Sequence, residues 1–113
     1  MHGPFDRGIP DSERIVLQAQ QAVNLGQFGL LIGVQTGEHL AVPLPDNFFW
    51  LGDGFLGAGE WLFVYTGPGE PRATTFPNRP ERVYIVHWGR QQTIFNHSNI
   101  VPVLFRMDGV IVP

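Results

Sequence analysis

The stretch Trp61-Leu62-Phe63-Val64-Tyr65-Thr66-Gly67-Pro68-Gly69-Glu70 decides how the rest of the chain is read. Its first five residues are all aromatic or aliphatic, the composition of a strand. Alternation places Trp61, Phe63 and Tyr65 on one face and Leu62 and Val64 on the other. Both faces are apolar, so the strand is expected to be covered on both sides or to lie at a subunit contact. The glycines that follow raise the question of a phosphate loop. Such a loop needs a lysine and a helix whose N-terminal amides face the anion. Here Glu70, Pro71 and Arg72 come next, with Pro77 and Pro80 beyond. Glutamate repels an anion and the prolines work against a long helix, so the segment is a turn where the chain leaves a sheet.

Outward from this strand, the chain alternates short apolar runs with turn residues. Residues 28–34 form a strand interrupted by Gly29 and Gly33. Residues 40–45 are extended, and Pro43 and Pro45 place them at a sheet edge. Residues 48–51 make a short aromatic strand, residues 83–88 a clear one, and residues 93–95 another. Residues 100–107 form a strand with Pro102 near its start, and Asp108-Gly109 is a hairpin signal ahead of a closing strand at 110–112. Residues 14–23 are ambiguous. Period two aligns Ile15, Leu17, Ala19 and Val23; helical period aligns Ile15, Ala19, Ala22 and Val23, with Asp11 or Ser12 as cap. We take a strand, with a helix over 12–24 as the alternative. Residues 1–13, rich in glycine and proline, are expected to be a flexible N-terminal arm.

The expected fold is therefore all-β: a single-domain immunoglobulin-like β-sandwich over residues 14–113, with about seven to nine short strands. The alternative is a small β-barrel with residues 12–24 helical. The length of 113 residues fits one domain with a core of its own. Fourteen glycines, ten prolines and 12% aromatic residues suit many strands joined by turns.

Charge narrows the function classes. Only 15% of residues are charged, the net charge is −3, and all seven basic residues are arginines scattered among acids. A nucleic-acid binder shows a basic stripe, and none is visible. Low surface charge favours self-association, so a homo-oligomer is expected. No run approaches the roughly 20 apolar residues of a membrane helix, and no secretory leader is seen, so a cytoplasmic location without membrane contact is expected. With no cysteine, thiolate metal sites and disulfides are excluded.

The chemical candidates are few. His2, His39, His87 and His97 show no HxH or HExxH spacing, so no metal site or cofactor is expected. Ser98 lies outside any GxSxG elbow, and Asp53 and Glu60 read as turn or strand-entry residues, so no catalytic residue is assigned. The aromatic residues read first as core and second as a stacking platform. One cluster stands out: His87, Trp88, Arg90 and His97 lie within eleven residues and combine imidazole, indole and guanidinium groups. They are the candidate ligand-binding residues, provided that their side chains meet in one pocket.

Several segments together resemble the lamin tail domain. Asn24-Leu25-Gly26-Gln27-Phe28 followed by Leu30-Leu31, the aromatic run Phe48-Phe49-Trp50, and the glycine-led strand from Gly57 to Gly67 follow that family's order. Val86-His87-Trp88-Gly89 and the run from Ile94 through Asn96 to Asp108-Gly109-Val110 complete it. The resemblance spans residues 14–112. It lacks the family's glutamate-containing strand that ends in asparagine, and Ser98-Asn99-Ile100 stands where a glycine-aspartate is expected. It implies an immunoglobulin-like sandwich acting as an interaction or targeting module with no catalytic residues. The expected function is thus a non-enzymatic protein-interaction or assembly module. Its expected contact surfaces are the edge at residues 40–45 and the loop at residues 67–80. The competing readings are a ligand binder or enzyme at the His87–His97 cluster, and a structural component of a larger assembly such as a virion.

Overall fold

A computed structural model describes all 113 residues. The fold is all-β, with no α-helix. Ten strands occur in chain order: β1 (His2–Phe5), β2 (Arg14–Gln18), β3 (Val23–Asn24), β4 (Phe28–Gly37), β5 (Leu40–Trp50), β6 (Phe55–Leu56), β7 (Trp61–Tyr65), β8 (Arg72–Thr75), β9 (Arg82–His87) and β10 (Ile100–Arg106). They form a five-stranded sheet in the order β1-β2-β7-β9-β8, a three-stranded sheet β10-β4-β5, and the small pair β3-β6. All pairings are antiparallel except β7 with β9, which is parallel. The chain leaves β7, crosses to the sheet edge as β8, and returns as β9 between the two. The sheets of an immunoglobulin domain carry no such central parallel pair, so the strand order departs from that expectation.

Register explains the core. Ile15 pairs with Val64 and Leu17 with Leu62, so these four side chains share one face of the five-stranded sheet. They are at most 8% exposed. Leu30 and Ile32, alternate residues of β4, meet them from the other layer, and Phe95, Leu51, Leu56 and Ala19 close the same cluster. Each of the valine, leucine, isoleucine and phenylalanine side chains contributes about 1.5–3 kcal/mol by leaving water. Period two is therefore the right reading of residues 14–18. The helical alternative for residues 12–24 fails because Val16 is also buried, on the opposite face from Ile15 and Leu17. Downstream, the Asn24 side chain accepts from the Gly26 amide and caps a short 3-10 turn at Leu25–Gln27.

The outer face of the five-stranded sheet is covered by the chain itself. Val16, Val83 and Ile85 point away from the main core, yet each is at most 6% exposed. Trp61 and Phe63 lie beside them, and Phe76, the residue after β8, is their roof. The Phe76 ring stands edge-on to Trp61 at 5.9 Å and lies 6.0 Å from Phe63. The two-sided apolarity of Trp61–Tyr65 is thus accounted for by two layers of cover within one chain.

Three expectations are corrected. Residues 1–13 are not a free arm: β1 pairs with β2, Arg14 bonds Asp6 at 2.7 Å, and Arg7 donates to the carbonyls of His97 and Ile100. Residues 93–95 form a loop rather than a strand, because the Ile94 and Phe95 amides turn to a side chain instead of a neighbouring strand. Residues 110–112 pair with nothing and are 76%, 96% and 83% exposed. The edge reading of Pro43 and Pro45 agrees with the position of β5 at the end of its sheet. There the segment from Leu44 to Asn47 bulges out of register opposite Ile32.

Candidate functional site

Strand alternation separates the four candidate ligand residues. His87 ends β9 on the outer face, stacked on Tyr65 with ring centroids 5.4 Å apart. Gly69 lies flat against the other side of the imidazole: a Cβ there would stand 2.6 Å from Nδ1. Only glycine allows that approach. Both ring nitrogens are sealed from solvent and have no hydrogen-bond partner. Trp88, one residue on, turns inward and stacks on Phe49 at 5.2 Å against the core. His97 is exposed in a turn that Arg7 ties down through its backbone carbonyl. Arg90 lines a polar cleft of about 360 Å³ beside Asp11, Thr66 and Gln92. The structure does not gather His87, Trp88, Arg90 and His97 into one concavity, because neighbouring strand residues face opposite layers. Nor is His87 placed for acid–base work with Ser98, Asp53 or Asp108, since its nitrogens are covered. No group of three or more metal-ligating side chains occurs. No helix is long and apolar enough to cross a membrane.

Beneath that cleft lies a residue that sequence reasoning missed. Glu13 is 1% exposed. Its Oε1 accepts from the amides of Gly8 at 3.0 Å and Phe95 at 2.8 Å. Its Oε2 accepts from the Thr66 hydroxyl at 2.6 Å and the Ile94 amide at 2.8 Å. The Thr66 amide also donates to the Glu13 carbonyl. Burial, the largest influence, pushes the carboxyl up, but the hydrogen bonds from Thr66, Gly8, Ile94 and Phe95 together bring it below its ordinary value. No arginine pairs with it. The carboxylate joins the N-terminal loop, the end of β7 and the loop before β10. Its role is structural: each acceptor site is filled by the protein's own donors, leaving none for a substrate. A glutamate in a polar, glycine-rich segment carries no sequence signal of burial.

Two apolar surfaces remain. The first is the outer face of the three-stranded sheet. Register puts Val101, Val103 and Phe105 of β10, Leu31 of β4, and Phe48 and Trp50 of β5 on it. No charged residue occurs among these paired positions. Gly29, near one end of the middle strand β4, lies between Phe105 and Trp50. A Cβ there would come within 2.5 Å of the Phe48 ring and 2.8 Å of the Phe105 ring, whose centroids are 5.4 Å apart. The two rings meet over the glycine, and nothing in the chain covers them: Phe48 and Trp50 are 48% and 43% exposed.

The second surface is a groove of about 550 Å³ at one end of the two layers. Leu17, Ala19, Leu51 and Leu56 of the core form its floor, and Phe28 and Leu104 form a wall. Gln18, Gln20 and Gln21 are its polar lining, and no charged group faces it. Leu104, on the same face of its strand as the buried Pro102, is 37% exposed there.

No protein-family model, curated protein or solved structure matches this chain.

Proposed function

We propose that this chain is a non-enzymatic assembly module that associates with copies of itself through the outer face of β10, β4 and β5. The observation that carries this is an unequal treatment of two equivalent surfaces. The apolar outer face of the five-stranded sheet is roofed by Phe76, whereas that of the three-stranded sheet is left open with two aromatic rings packed on it. Exposed contiguous apolar patches of this kind mark contact sites. A charge-free face suits a matching charge-free face, and an isologous contact between copies meets that condition automatically. The contact surfaces expected at residues 40–45 and 67–80 give way to this one as the principal face. The loop at 67–80 is occupied in covering its own sheet, while Leu40 and Ala41 extend the open face beside Val101 and Val103. What supports the immunoglobulin-like, lamin-tail reading is the pair of facing layers; the parallel β7–β9 pair counts against it.

Sedimentation velocity over micromolar to millimolar concentrations tests the proposal. The weight-average mass should rise with concentration. Phe48→Arg, which places like charges opposite one another in a two-fold contact, should weaken association at least about tenfold without unfolding the domain. A strict monomer at every concentration overturns the reading.

A further inference from the structure

The groove and the exposed apolar tail belong to the same molecule, and each lacks what the other supplies. The groove is lined by Leu17, Leu25, Phe28, Leu56 and Leu104, with glutamine amides at its side. The tail is Val110-Ile111-Val112, the most exposed run of large apolar residues in the chain. No side chain of the groove lining or of residues 109–113 carries a charge. From these two surfaces we infer that residues 110–112 of one copy occupy the groove between the layers of a second copy.

Three observations support a second copy as the occupant. First, the open sheet face is too small alone. Seven residue pairs of β10 and β4 and three strands give about 24 Å by 14 Å, or about 350 Å². A stable interface takes roughly 800 Å² from each partner. Second, groove and face lie at the same end of the three-stranded sheet. Phe105 and Gly29 face outward there, while Leu104 and Phe28, their neighbours on the same strands, face the groove. A partner seated on the outer face is therefore within a short reach of the groove. Third, the tail starts at this end too, because Met107, just past β10, is held by the Gln27 carbonyl at 2.7 Å. The four residue steps from Met107 to Ile111 span up to about 14 Å. Three extended residues are about 10 Å long, a size that a groove of about 550 Å³ accommodates; a helix with its side chains, about 10 Å across, is less well suited. The side-chain amides of Gln20 and Gln21 line the groove and can hydrogen-bond the tail's backbone groups.

This inference rests on the assembly reading but on different atoms, so the two fail separately. The chain contains no cysteine, which makes cross-linking clean. Ile111→Cys and Gln20→Cys chains are mixed under mild oxidation, with Ile111→Cys plus Gln92→Cys as control. The expected result is a disulfide-linked heterodimer from the first mixture at least about tenfold above the control, since the bond needs Cα atoms within roughly 7 Å. In sedimentation, Ile111→Asp should weaken self-association at least about tenfold. Cross-linking no better than the control overturns the inference, even if the chain still associates through Phe48. An intrachain bond in the Ile111→Cys/Gln20→Cys double variant, without a dimer, overturns it as well, because the tail then fills its own groove. If the chain is monomeric throughout, both the inference and the assembly reading fall.

Discussion

Replacing Glu13 probes how far a single buried carboxylate holds the N-terminal loop to the body of the domain. Its two oxygens accept from three backbone amides and one hydroxyl. Alanine at this position strands the Gly8, Ile94 and Phe95 amides, while the Thr66 hydroxyl is free to rotate. An orphaned buried donor costs about 1–3 kcal/mol, and water entering the vacated space recovers part of it, so Glu13→Ala should lose roughly 3–6 kcal/mol. Glutamine keeps one acceptor oxygen. If its amide nitrogen takes the place of Oε2, the Thr66 hydroxyl turns to accept from it and only the Ile94 amide is stranded, for about 1–3 kcal/mol. A domain of this size has about 5–15 kcal/mol in total, so alanine removes a large share and glutamine a smaller one. Urea unfolding at neutral pH measures both. The expected order is parent, then glutamine, then alanine. A Glu13→Ala midpoint that matches the parent to within about 0.5 kcal/mol would refute the network as a structural tie.

The same carboxylate sets a pH dependence. Because its pKa lies below the ordinary value of 4.5, its stabilisation is fully present above that value and is lost as pH falls through the depressed folded-state pKa. Acid titration of stability should therefore show a smaller loss below pH 4.5 in Glu13→Gln than in the parent; equal slopes would contradict the assignment. Phe76→Ala removes the roof over Trp61 and Phe63 and should cost about 2–4 kcal/mol with a red-shifted tryptophan emission; unchanged emission would mean that the outer layer does not rely on that ring. Gly69→Ala drives a methyl group into the His87 imidazole and should cost about 1–3 kcal/mol, part of which His87→Ala restores in the double variant. Additive losses in that thermodynamic cycle would show that the two residues do not touch.

Alternation was the strongest signal in the sequence, and it located the all-β class, β7 and β9, while Pro43 and Pro45 marked the edge position of β5. It also held the reason why His87 and Trp88 cannot share a pocket, since they are adjacent strand-end residues. Sequence proximity hid that. What it did not hold were the long-range partners of polar groups. Glu13 acquires its meaning from Ile94 and Phe95, more than eighty residues away, and from Thr66. The groove is likewise lined by residues from segments far apart in the chain, from Leu17 to Leu104.

The composition takes on a sharper meaning once the layers are known. A chain with 15% charged residues and apolar alternation on both faces of both sheets must cover four sheet faces. The facing pair cover each other through Leu62, Val64, Leu30 and Ile32, and Phe76 covers a third. The fourth carries Phe48, Trp50 and Phe105, which no segment covers, and Met1 reaches it only beside Val101 and Val103, while residues 110–112 are largely exposed. Were the open face merely tolerated, Gly29 would be free to become a larger residue. Instead it is the residue that lets Phe48 and Phe105 close over the strand, their rings tilted 40° to one another, as one aromatic platform. Gly29→Ala should therefore disturb that platform, and with it self-association, more than it disturbs folding, because the rings it strikes are on the solvent side of the sheet. Measured together, the dissociation constant should rise at least about tenfold while unfolding free energy falls by no more than about 1–2 kcal/mol. A variant that loses stability heavily yet associates as before would show that the platform serves the fold and not the contact.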